Sequence, residues 1–168
     1  MERSIPEGLT QSREGAKGFR ESVRATSRYA HTSMSPNEAA RLIVDAAYHI
    51  HSTLGPGLLE SVYQAILVHA LRKRGLRVEV EVPIPVHWDD IVLDIGFRAD
   101  LIVEDVVIVE LKSAERVTKA HSKQLLTYLR VTDKRLGLLI NFGAALIKDG
   151  ITRVANRLAE PPASDSMQ

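Results

Sequence analysis

Phe97-Arg98-Ala99-Asp100-Leu101-Ile102-Val103-Glu104-Asp105-Val106-Val107-Ile108-Val109-Glu110-Leu111-Lys112 is the stretch that decides how this chain is read. Two apolar runs, 101–103 and 106–109, have the look of buried strands, and charged residues stand at their ends. Side chains alternate between the faces of a strand, so Glu110 and Lys112 share one face while Val109 and Leu111 pack on the other. Whether Asp100 joins them turns on the break at Glu104-Asp105. A three-residue loop over 104–106 sets Val103 opposite Val107 and Asp100 opposite Glu110, whereas a two-residue turn separates the carboxylates. Gathered together, two carboxylates and an ammonium make a hard-oxygen pocket suited to Mg²⁺ with a lysine left to meet an anionic substrate, the skeleton of a metal-dependent phosphodiesterase. The alternative is a surface hairpin whose Asp, Glu and Lys are solvated or loosely paired.

Outward from this stretch, the chain alternates helical and strand periods. Residues 1–34 carry scattered Arg, Lys, Glu, Ser and Gly without apolar periodicity and read as a disordered extension, with Met34 a candidate second translational start. Ser35-Pro36-Asn37-Glu38 combines an N-cap, a proline in the first helical turn and a Glu placed to close a capping box. The helix that follows runs to about Thr53, where Leu54-Gly55-Pro56-Gly57 breaks it. In a second helix, Leu59, Val62, Tyr63, Ile66 and Ala70 form the apolar stripe, Glu60 lies on its border, and Gly75 is the stop. Strands are expected at 78–86, 92–103 and 106–112, the first at a sheet edge because of Pro83 and Pro85. A helix over 118–130 and a wholly apolar strand over 136–142 complete an α-α-β-β-β-α-β order. This is an α/β fold, a mixed central β-sheet flanked by helices, forming one domain over 35–158 with a disordered tail at 159–168.

Composition narrows the chemistry. With 168 residues and 45% hydrophobic content the chain is large enough for one domain with a real core. The absence of cysteine excludes disulfides, thiolate catalysis and cysteine zinc sites, so a cytoplasmic location is the expectation. A net charge of +1 means that any phosphate-binding surface must be local. No apolar stretch approaches the roughly 20 residues of a membrane span, and the N-terminus lacks the apolar core of a secretory signal.

The spacing of Asp100, Glu110 and Lys112 resembles that of the PD-(D/E)XK nuclease superfamily, with Ala99 in place of the Pro, which is not a ligand. Gly57-Leu58-Leu59-Glu60-Ser61-Val62-Tyr63 is similar to the signature of the GxxExxY family within it, and 121–129 and 137–143 fall in that family's order. The resemblance runs from about Pro36 to about Gly143. It implies a restriction-endonuclease-like core and a Mg²⁺-dependent nuclease, with Mn²⁺ able to substitute and nucleic acid, DNA in particular, as substrate. Glu60, Asp100, Glu110 and the carbonyl of Leu111 are then the metal ligands, and Asp100, Glu110, Lys112, Gln124 and Tyr128 the catalytic set. The competing reading is a module that keeps the nuclease fold to bind nucleic acid or protein without turnover, and a third is a nuclease subunit active only in a larger assembly.

Gln124 and Tyr128 also stand on their own spacing. With His121 they lie at i, i+3 and i+7 of one helix, a polar stripe beside Leu125, Leu126 and Leu129 that suits the border of a cleft or an ordinary polar flank. Gln-x-x-x-Tyr resembles the extra motif of RecB-like and lambda-exonuclease-like members of the superfamily, where it lies by the active site. His49 and His51, two residues apart on a helix, face different ways and do not make the i, i+4 pair of a zinc site. Arg98 is open to phosphate or to a neighbouring carboxylate, and Trp88 with Asp89-Asp90 reads as a turn with an amphipathic flank.

Overall fold

A computed structural model describes residues 34–157. Apart from Met34, the expected N-terminal extension lies outside the described residues, and so does the expected tail. The elements are α1 (Pro36–Leu54), α2 (Glu60–Lys73), β1 (Val78–Trp88), β2 (Ile91–Val103), β3 (Val107–Lys112), α3 (Lys119–Val131), β4 (Leu136–Asn141), α4 (Ile147–Gly150) and β5 (Ile151–Ala155). The strands form one sheet in the order β1-β2-β3-β4-β5. Only β3 and β4 are parallel, and α3 supplies the crossover that parallel neighbours need; the other pairs are antiparallel. The mixed sheet flanked by helices is the α/β architecture expected from the sequence. Among the described residues no helix is long and apolar enough to cross a membrane.

The start of α1 follows the capping chemistry read from its sequence. Glu38 N–H donates to Ser35 Oγ at 3.2 Å and Ser35 N–H donates to Glu38 Oε2 at 2.9 Å. α1 and α2 cover one face of the sheet, and α3 covers the other against β3, β4 and β5. The alternation along β3 and β4 sorts the core in two: Val109, Leu111, Leu138 and Ile140 pack with Ile43, Tyr63 and Leu67, whereas Ile108 and Leu139 pack with Leu125, Tyr128 and Leu129. Each such fully buried side chain contributes about 1.5–3 kcal/mol.

Three expectations need correction. The buried face of α2 consists of Tyr63, Leu67, Val68 and Leu71, while Leu59 and Val62 are 73% and 38% exposed. Apolar residues flank this helix on both sides, and the i, i+4, i+8 row through Tyr63 is the one that faces α1 and the sheet. Next, the first strand continues through Pro83 and Pro85 to Trp88, which its edge position permits because a proline there forfeits no ladder bond on the outer side. Finally, the chain after β4 adds α4 and the antiparallel edge strand β5. β5 holds only three apolar residues, Ile151, Val154 and Ala155, and is half-exposed, so it has neither the apolar run nor the clean alternation that marks a strand.

Gly137 sets the distance between α3 and the sheet. A Cβ built there would lie 2.9 Å from both Cγ and Cδ1 of Leu125. Gly137→Ala should therefore cost about 1–3 kcal/mol by overpacking, and the cost should shrink in a Leu125→Ala background because the two positions share one space. Urea midpoints of the four proteins in this cycle measure the coupling; additive effects would show that the contact does not hold α3 down.

Candidate active site

The loop between β2 and β3 spans 104–106 and sets Val103 opposite Val107, followed by Ile102 opposite Ile108 and Leu101 opposite Val109. The three-residue alternative is thus the one adopted. Val106 N–H donates to the Val103 carbonyl at 3.0 Å. Glu104 and Asp105 take φ of 53° and 60°, a left-handed backbone that their contacts hold in place. Glu104 Oε1 accepts from Arg77 N–H at 2.6 Å, and Lys134 Nζ reaches Asp105 Oδ1 at 2.6 Å and its carbonyl at 2.8 Å. Continued by one step, this register brings Asp100 to Glu110. Asp100 Oδ2 accepts the backbone N–H of Leu111 at 2.7 Å, clipping β2 to β3 where the ladder ends.

Glu110 is only 9% exposed, and its Oε1 is buried with no hydrogen-bond partner among the described residues. Burial raises its pKa from 4.5 to about 8; the charge of Asp100 pushes further in the same direction and Lys112 opposes it. Lys112 Nζ donates to the Leu111 carbonyl at 2.5 Å and lies 3.7 Å from Glu60 Oε1. Glu60 is the first residue of α2.

The Gly57–Tyr63 stretch explains how Glu60 gets there. Gly57 has φ of 117°, which a side chain rarely tolerates. Beneath it, the Tyr63 hydroxyl donates to the Gly55 carbonyl at 2.6 Å and accepts from Leu58 N–H at 3.3 Å, while its ring stacks on Phe142 with centroids 4.4 Å apart. The helix start is thereby pinned to the core. Ser113, just after Lys112, donates from Oγ to the Leu58 carbonyl at 2.7 Å and closes one end of a cleft of about 490 Å³ lined by Gly57, Leu58, Glu60, Ser113, Ala114 and Gly143.

Tyr128 is buried with its ring stacked on Phe97, centroids 3.6 Å apart, and Gln124 Nε2 donates to its hydroxyl. Burial raises the Tyr128 pKa, and the charges of Glu110 and Asp100 push in the same direction. Gln124 stays exposed on the same side. His121 is drawn off instead: its Nδ1 accepts from Thr118 N–H at 3.2 Å and caps α3. Arg98 pairs with Glu81 at 3.3 Å, both half-exposed. His51 donates from Nε2 to the Ala144 carbonyl at 2.8 Å and serves the loop after β4.

Two positioning residues escaped the sequence reading. Buried Asn141 accepts on Oδ1 from the N–H groups of Ala114 at 3.0 Å and Gly143 at 3.1 Å, and donates from Nδ2 to the Ala114 carbonyl at 2.8 Å, tying down the chain that leaves Lys112. Gln64 Nε2 approaches the Asp100 carbonyl at 3.4 Å. Asn141 closes an apolar strand, and that lone polar side chain was the available signal.

Among the described residues no three acidic or imidazole side chains are already drawn into one metal cage. The donors nevertheless fit a hard cation. The unpartnered Oε1 of Glu110 is short of positive charge, and the Lys112 ammonium already stands in as a cation on the Leu111 and Glu60 oxygens. The raised pKa carries a stability signature. Native Glu110 keeps a proton that the unfolded chain gives up, so the metal-free protein should lose stability as pH climbs from about 4.5 through about 8 and level off above. Glu110→Gln should flatten this slope and be more stable than wild type at neutral pH by up to about 3 kcal/mol. Denaturant titrations across that range measure both, and an unfolded variant or an unchanged slope would make Glu110 a structural residue of another kind.

A sequence profile of the PD-(D/E)XK nuclease superfamily matches residues 37–154. No curated protein sequence matches the chain. Among solved structures, the crystal structure of SSO0001 is similar with a TM-score of 0.47 and 18% identity, over 86% of this chain and 76% of that one. By the profile match over most of its length, the chain belongs to the PD-(D/E)XK nuclease superfamily.

Proposed function

We propose that this protein is a Mg²⁺-dependent nuclease of the GxxExxY type that hydrolyses phosphodiester bonds of DNA, with the Gln-x-x-x-Tyr element of RecB-like and lambda-exonuclease-like members. The observation that carries the reading is the unpartnered, buried Oε1 of Glu110 two residues before Lys112. Burying an ionisable carboxyl without a partner is costly for folding alone, and a cation brought by function removes the cost. Superfamily membership supports phosphodiester hydrolysis as the reaction and nucleic acid as the substrate.

Glu60, Asp100, Glu110 and the Leu111 carbonyl are the groups that would hold Mg²⁺. When bound, the ion supplies Lewis acidity that eases ionisation of water and offsets charge at the phosphate. Lys112 has no lone pair to offer while charged, so its part is to steady the charge that develops on the phosphate or to orient the attacking water. The Tyr128 hydroxyl, held by Gln124 and by its ring stack on Phe97, positions the substrate against the carboxylates. Asn141 fixes the backbone after Lys112, and Gln64 approaches the backbone of Asp100.

Incubation with labelled single- and double-stranded DNA and RNA, with Mg²⁺ or Mn²⁺ against EDTA, tests the reading. Cleavage of DNA with metal and none in EDTA is expected. Lys112→Ala should lower cleavage by about a hundredfold or more while calorimetry still detects metal, and Lys112→Arg should rescue only in part, since a planar fork does not replace a compact point charge. A Lys112→Ala protein that cuts at the wild-type rate would remove Lys112 from the mechanism. Wild-type protein that binds metal and nucleic acid but cuts nothing would establish the non-catalytic module instead.

A further inference from the structure

With a net charge of only +1, this chain can hold phosphate only where cations are concentrated locally, and the elements that carry the site differ in what they offer. From Val78 to Phe97 the β1–β2 hairpin holds Glu79, Glu81, Asp89, Asp90 and Asp94 and no Lys or Arg. Arg98 of β2 is paired with Glu81, and Lys112 of β3 lies 3.7 Å from Glu60. The helix α3 is the opposite case. From Arg116 to Thr132 the chain holds Arg116, Lys119, Lys123 and Arg130 and no Asp or Glu. All four are exposed, and among the described residues none of their side chains meets a carboxylate or makes a hydrogen bond. Lys119 and Lys123 are like charges at i and i+4, which weakens a helix, so folding alone does not favour the arrangement.

Lys119, Lys123 and Arg130 stand at i, i+4 and i+11, which at about 100° per residue confines them to one narrow row about 16 Å long. Gln124 comes next around the helix, and its amide donates to the hydroxyl of Tyr128, the phenol on which the charges of Glu110 and Asp100 act. The row thus runs beside the edge of α3 that carries the site residues. We infer that Lys119, Lys123 and Arg130 form the track for the phosphates of one DNA strand, so that the substrate is held on the α3 side of the site. This rests on the nuclease reading and adds where the substrate lies. At about 3.4 Å per phosphate along one strand, the row spans about five phosphates, enough for three contacts. Contacts of this kind position a duplex without reading its sequence.

Equilibrium binding of a short fluorescein-labelled DNA duplex to the full-length protein in EDTA, followed by anisotropy between about 50 and 200 mM NaCl, is the test. Lys119→Gln with Lys123→Gln should raise the dissociation constant at least about tenfold and lower the slope of log K against log salt by about 2, since each lost phosphate contact removes about 0.9. Adding Arg130→Gln should remove about one more. Arg41→Gln with Lys73→Gln, an equal loss of charge on the helices of the other face, should leave affinity and slope near those of wild type. Lys119→Arg with Lys123→Arg should keep binding, because either cation serves a phosphate. The Gln pair should melt no lower than wild type by circular dichroism, since its like-charge repulsion is gone. DNA binding that the Lys119, Lys123 and Arg130 changes leave untouched overturns the inference while the nuclease reading stands; a wild type that binds no nucleic acid overturns both. Binding to phosphatidylserine vesicles that needs the two lysines, while DNA binding does not, also overturns it and assigns the row to lipid.

Discussion

Burying Glu110 beside Asp100 sets two carboxyl groups against each other in a place that water does not screen, and the surrounding architecture is arranged so that this arrangement can persist. Asp100 is satisfied by the Leu111 N–H. Lys112 supplies the nearest positive charge, and Glu110 itself escapes ionisation by holding its proton to about pH 8. An apolar side chain would fill the same space at lower cost, so the carboxyl is a stability penalty that folding alone does not explain. On the proposed function, the carboxyl would serve as an anionic ligand for Mg²⁺ and would give up its proton on binding.

The sheet converts this local demand into a global one. Glu110 is placed by β3, which is central and buried on both faces. Its register to β2 is set by a loop anchored to Arg77 and Lys134, residues outside the hairpin, so a slip of one residue would break those contacts as well as turn Asp100 away. On one side Tyr63 holds the start of α2, and with it Glu60, against the core; on the other, Leu125 seated over Gly137 holds α3, and with it Tyr128, against the sheet. Packing on the two faces therefore bears on the C-terminal end of β3, where Lys112 lies 3.7 Å from Glu60.

Much of this was legible in the sequence where chemistry is local. The order and type of seven elements follow from caps, breakers and apolar periods, and Ser35 and Gly57 act through neighbours a few residues away. The 104–106 loop was open to two lengths in the sequence, because the contacts that hold it, to Arg77 and Lys134, are 27 and 29 residues away along the chain. What was not legible depends on distance along the chain. Asn141 and Ala114 are 27 residues apart, so no local pattern announces their bond. The burial of Glu110 depends on α3 closing over it, and a period-2 reading of β3 gives its face but not its depth. The face of α2 was misjudged because apolar residues flank the buried row on both sides. β5 was missed because an edge strand with one half-buried side has little pattern to show. His121 and Gln124 share a stripe in the sequence, yet the first is taken by a helix cap and the second by Tyr128, a division that only the three-dimensional hydrogen bonds reveal.

The central claim is that the buried carboxyl of Glu110 is built to receive a divalent cation. Anomalous diffraction from crystals of the full chain grown with Mn²⁺ tests it most directly. The account predicts a Mn²⁺ peak bonded to Glu110 and Asp100, with the Lys112 ammonium moved off the Leu111 carbonyl. Saturating Mn²⁺ that leaves Glu110 unbonded, or that collects only at other surface carboxylates, would contradict it.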